Sequence, residues 1–132
     1  MQLILVRHAK AAAGEPDDLR PLTPEGREQA RGLAEQLRAE KLRPDAIVTS
    51  PLLRAKQTAE VIAEQLGADV VPDDRLSPGA TAEDVTAAVS GRGETVVAVG
   101  HQPDCSRIAA ALTGAPEPDF APAQSFAIEL EP

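Results

Sequence analysis

Short apolar runs alternate with amphipathic stretches along the whole chain. The first run, Leu3-Ile4-Leu5-Val6, predicts a strand over residues 2–7. A polar, proline-containing loop follows over 14–22. Thr23-Pro24 then marks a helix start, with threonine as cap and proline in the first helical position. That helix runs to about Glu40 and sets Ala30, Leu33, Ala34 and Leu37 on one face. Residues 46–49 predict a second strand. Ser50-Pro51 opens a second helix over about 52–66, closed by Gly67. Val70-Val71 marks a short third strand broken by Pro72, and Thr81 caps a third helix to about Ser90, with Asp84 completing a capping-box variant. The run at 95–99 is the most apolar and is placed at the centre of the sheet. A fourth helix spans about 103–112 and ends near Gly114. Over 125–130, Phe126, Ile128 and Leu130 alternate with Ala127 and Glu129, the pattern of an edge strand.

Strands and helices alternate from end to end, which predicts one α/β domain over 1–132. The expected form is a three-layer α/β/α sandwich around a mainly parallel sheet, with an edge strand at the C-terminus.

Only two histidines occur, and each directly follows an apolar run: Arg7-His8 after the first, Gly100-His101 after the run at 95–99. Ligands of open parallel sheets bind beyond the carboxyl ends of the strands. Ser50-Pro51 and, one helical turn on, Arg54 follow the second strand. A parallel sheet therefore gathers two imidazoles and two guanidiniums at one place, with no carboxylate among them. Such a set suits an anion, and the arginine fork matches phosphate oxygens. Helix N-termini opening near Leu52 and Pro103 are candidate backbone donors as well. Flanking arginines repel a dication, which disfavours a metal and leaves nucleophilic attack by histidine on phosphorus as the better reading.

Composition narrows the partners. The chain has 132 residues and a formal charge of -8, which argues against nucleic acid or an anionic membrane as partner but not against a small anion in a cationic cleft. The single cysteine, Cys105, excludes an intrachain disulfide and fits a reducing compartment. With no signal-peptide pattern and no apolar stretch of membrane-spanning length, the expected location is the cytoplasm.

Three segments together resemble the histidine phosphatase (phosphoglycerate-mutase-like) superfamily. They are Leu5-Val6-Arg7-His8-Ala9, the stretch from Ser50-Pro51-Leu52-Leu53-Arg54 to Ala59, and Val99-Gly100-His101-Gln102-Pro103. The short length and Arg20-Pro21-Leu22-Thr23-Pro24-Glu25-Gly26 resemble the compact SixA-type phosphohistidine phosphatases. The resemblance implies that His8 is the nucleophile, that Arg7 and Arg54 clamp the phosphoryl group, and that His101 donates to the same oxygens. It implies Arg20 as a further phosphate ligand, with no cofactor and no metal. Two departures stand out. Ala9 replaces a common glycine, which is tolerable where φ is negative. The stretch Arg75-Leu76-Ser77-Pro78-Gly79 lacks the acidic proton donor of larger members, and this disfavours alkoxide leaving groups over the imidazole of phosphohistidine.

The expected activity is hydrolysis of phosphohistidine on a partner protein through a phosphorylated His8. The alternatives are a phosphomonoesterase for a small phosphorylated molecule on the same site and a phosphate-binding module without turnover. Arg20 has a competing reading as a loop salt bridge, and Ser50 and Gln102 as capping residues. Cys105 reads as a buried thiol in a core helix, Lys10 and Lys56 as solvated, and Glu15, Asp17 and Asp18 as a solvated loop.

Overall fold

The computed structural model describes residues 1–131. Five strands form one sheet: β1 (Gln2–Arg7), β2 (Ala46–Thr49), β3 (Val70–Pro72), β4 (Thr95–Gly100) and β5 (Ser125–Glu129). Their order is β3-β2-β4-β1-β5, so the most apolar strand is indeed central. All pairings are parallel except β1 with β5. The helices are α1 (Pro24–Ala39), α2 (Leu53–Leu66), α3 (Ala82–Val89) and α4 (Asp104–Thr113).

Continuous apolar runs are required because both sheet faces are covered. Along β1, Ile4 and Val6 pack into the core under α1 and α2, with Leu33, Leu37, Ala59 and Ile62. Leu3 and Leu5 point the other way and join Val85, Val89, Ile108 and Ala109 of α3 and α4. The helix boundaries follow local chemistry. Thr23 accepts from Gly26 N ahead of Pro24, and Thr81 and Asp84 form a reciprocal capping box. Gly67 and Gly114 close α2 and α4 in the left-handed conformation.

Two details differ from expectation. Pro72 belongs to β3 rather than breaking it, pairing with Thr49. The strand lies at the sheet edge, where a missing N–H removes no ladder bond on the outer side. The connections also contain 3-10 turns at Asp17–Leu19 and Asp74–Leu76, which leave no periodic signal in the sequence.

The fold fixes where a ligand can sit. The helix after β1 covers one face of the sheet and the helix after β4 covers the other. The crevice between these adjacent strands is therefore the switch point of the sheet, open at its carboxyl edge.

Candidate active site

Register brings the two histidines together. Arg7 pairs with Gly100 across the β1–β4 ladder, and His8 N donates to Gly100 O at 3.0 Å. His8 and His101 are thus the next residues on adjacent parallel strands, and their ring centroids stand 5.2 Å apart. On the other side of β4, Thr49 pairs with Val99, which brings Ser50 to the same level. A pocket of about 390 Å³ opens here, lined by Arg7, His8, Arg20, Arg54 and His101, the five residues singled out from sequence. Lys10, Pro78 and Gln102 are also in its wall, and no carboxylate is among its lining residues.

His8 is held in one tautomer. Its Nδ1 lies 2.7 Å from the Ala9 carbonyl oxygen, which can only accept, so Nδ1 carries the hydrogen. The lone pair of the neutral ring is left on Nε2. Burial lowers the His8 pKa from 6.5 to about 4. The Ala9 carbonyl opposes this, and the charges of Arg54, Arg7 and Arg20 add to it. His101 is pushed down to about 3, first by burial and then by His8 and Arg54. Both imidazoles are neutral at pH 7.

His101 has a different environment. Its Nε2 lies 2.8 Å from Ser50 Oγ, and that oxygen accepts from Leu52 N at 3.2 Å. Ser50 thus orders the start of α2, as its capping reading expects, and also braces the histidine, without being a lining residue of the pocket. Gln102 caps α4, accepting from Ser106 N at 2.9 Å, while lining the pocket.

The arginines are braced from behind. Arg54, the second residue of α2, has a side chain only 7% exposed; its Nη1 donates to Asp17 O at 2.9 Å and Nη2 to Asp17 Oδ2 at 3.3 Å. Arg20 Nε donates to Asp17 Oδ1 at 3.0 Å, so Arg20 makes the loop salt bridge and lines the pocket together. Arg7 Nη1 donates to Phe120 O at 2.9 Å. Arg7 Nε, Arg54 Nε and His101 Nδ1 are buried and have no hydrogen-bond partner among the described residues. Buried polar groups in native proteins are as a rule hydrogen-bonded, and all three atoms belong to residues that line the pocket.

The second motif also supports the first through backbone contacts. Ala9 N donates to Thr58 Oγ1 at 3.0 Å, and that hydroxyl donates to Arg54 O at 2.8 Å. Ala9 is fully buried, and its φ is not positive, so the methyl group carries no strain. Asp104 accepts from Gly79 N at 2.8 Å, holding the turn that carries Pro78. Lys10 is exposed and paired with Glu25, and the Cys105 thiol is buried and pushed up to about 12 by that burial.

Two sequence-based expectations change. Asp17 is not merely part of a solvated loop but the shared partner of two site arginines. At the two positions where the helices open, Leu52 N is spent on Ser50 Oγ and Pro103 has no amide to give, while Arg54 in the first turn of α2 and Gln102 just ahead of α4 line the pocket. Among the described residues no group of three His, Cys, Asp or Glu side chains is placed to hold a metal ion. None of the described helices is long and apolar enough to cross a membrane.

The family described as histidine phosphatase superfamily (branch 1) matches residues 3–78. Phosphohistidine phosphatase SixA of Escherichia coli (strain K12) is 36% identical over 78 residues, covering 55% of this chain and 48% of that protein. The match thus spans about half the length of that relative. An uncharacterised protein of Picosynechococcus sp. is 36% identical over 120 residues, 85% of this chain and 73% of that one. The structure described as the protein histidine phosphatase SixA complexed with tungstate has a TM-score of 0.91 at 29% identity, covering 99% of this chain and 89% of that chain.

Proposed function

The chain belongs to the histidine phosphatase superfamily, and we propose that it hydrolyses phosphohistidine on a partner protein through a phosphorylated His8. The observation that carries this reading is the neutral His8, its Nδ1–H committed to Ala9 O, in a pocket walled by three guanidiniums. His8 Nε2 attacks phosphorus, forming a new N–P bond as the substrate N–P bond breaks. Arg7, Arg20 and Arg54 bind the phosphoryl oxygens, and His101 donates from Nδ1, with Nε2 held by the Ser50 hydroxyl.

The Nδ1–H has a second consequence. Once Nε2 carries the phosphoryl group the ring is cationic, and the Ala9 carbonyl stabilises it. Attack by water then forms the O–P bond of inorganic phosphate and releases His8 as a neutral imidazole, with the proton passing to solvent. The substrate imidazole leaves in the same way when its other nitrogen is protonated. An alkoxide must instead gain a proton during bond cleavage, and no carboxylate lines the pocket to give one. This favours phosphoramidates, and the likeness to proteins named phosphohistidine phosphatase supports the same choice.

A substrate panel tests the reading. A histidine-phosphorylated protein is expected to turn over with a kcat/KM well above that of a small sugar phosphate. Comparable turnover of the sugar phosphate, with none of the phosphoprotein, would overturn it in favour of a small-molecule phosphomonoesterase.

A further inference from the structure

Asp17 stands outside the pocket wall yet touches two of its three arginines. Its backbone carbonyl and carboxylate together take Nη1 and Nη2 of Arg54, the end of the guanidinium fork. Arg54 Nε is buried and has no partner among the described residues. The other carboxylate oxygen takes Nε of Arg20. Although burial of Asp17 acts to raise its pKa, the charges and hydrogen bonds of Arg54 and Arg20 hold the carboxyl below its usual range. Its field also extends across the pocket, where it partly offsets the arginines at His101.

With both histidines neutral, the pocket is lined by three guanidiniums and by Lys10, which is paired with Glu25, and no carboxylate is among its lining residues. Such a site also holds the product phosphate, and a tightly held product slows turnover by delaying its release. We propose that Asp17 is the counter-charge of this pocket, offsetting part of the charge on Arg54 and Arg20 so that the product phosphate is released. The proposal rests on reading the pocket as a phosphate site. Asp17 is suited to the role because its side chain is 63% exposed while that of Arg54 is 7% exposed: the carboxylate weakens the field without entering the site.

Asp17→Asn removes the charge and keeps most of the bracing, losing the side-chain bond from Arg54 Nη2 because the amide has a single acceptor oxygen. The backbone carbonyl still holds Arg54, and the amide oxygen can still accept from Arg20. Calorimetric titration with inorganic phosphate is expected to show binding tightened about threefold to tenfold in Asp17→Asn at low salt. The gain should shrink at about 1 M salt, where exposed charges are screened. The neighbouring Asp18→Asn, which removes an equal charge from a side chain that contacts neither arginine among the described residues, is expected to change binding less than about twofold. A purely structural role for Asp17 would weaken phosphate binding instead. Unchanged or weakened binding in Asp17→Asn, with the native protein binding phosphate, overturns this inference alone. Failure of the native protein to bind phosphate overturns both it and the reading of the pocket.

Discussion

His8 and His101 meet edge to face, with ring centroids 5.2 Å apart and planes inclined at 62°, because Arg7 and Gly100 are register partners. One ladder position therefore sets the distance between two groups from opposite ends of the chain. The same burial that packs the rings keeps them uncharged. His8 presents Nε2 to the pocket, and His101 leans on Ser50.

The two histidines should titrate far below an ordinary imidazole. Their folded values of about 4 and about 3 lie under the unprotected 6.5. As pH falls through this interval, the unfolded chain takes up protons that the folded chain refuses. The contribution of the two histidines is thus fully present above 6.5 and is lost as pH falls toward about 4 for His8 and about 3 for His101. NMR titration of the imidazole protons checks this, since the chain has only two histidines to assign. Midpoints near 6.5 in the unliganded protein would show that the pocket does not desolvate them.

Ser50→Ala should impair His101 without touching His8. The substitution removes the hydroxyl 2.8 Å from His101 Nε2 and the acceptor for Leu52 N. A loss of about tenfold in kcat/KM is expected, together with about 1 kcal/mol of stability. Steady-state kinetics and thermal unfolding measure the two. Wild-type kinetics with only the stability loss would reduce Ser50 to a helix-start residue.

Two glycines of α1 should behave oppositely. A Cβ built on Gly26 collides with Lys10 O, whereas one on Gly32 meets nothing within 4 Å among the described residues. Gly26→Ala must push α1 off the segment that follows His8, costing about 1–3 kcal/mol and lowering activity. Gly32→Ala should stabilise by about 0.5–1 kcal/mol with activity unchanged. Denaturant midpoints for the pair decide the matter, and a neutral Gly26→Ala would refute the tight approach.

Elements with a strong local signal were readable from sequence. Thr23-Pro24, Thr81 with Asp84, and Gly67 each determine a helix end within a few residues, and the structure has them there. The chemistry of the pocket was readable too, because Arg7, His8, Arg54 and His101 lie at or just beyond strand ends. What could not be read was long-range. Nothing near Asp17 in sequence reveals that its loop turns back onto Arg54, 37 positions away. The double service of Ser50 depends on the register of β2 with β4, which no local pattern states. Pro72 looked like a break because an edge position, where proline is tolerated, is a property of the assembled sheet.

The identity of the nucleophile is tested most directly by trapping the intermediate. The protein is mixed with a radiolabelled phosphohistidine protein, quenched in base, where phosphoramidates persist, and digested. Label is expected on the peptide containing His8, lost on acid treatment and absent from His8→Ala, which should also lack turnover. Hydrolysis that continues in His8→Ala, or label found at another residue, would contradict the assignment of His8 as the group that receives the phosphoryl.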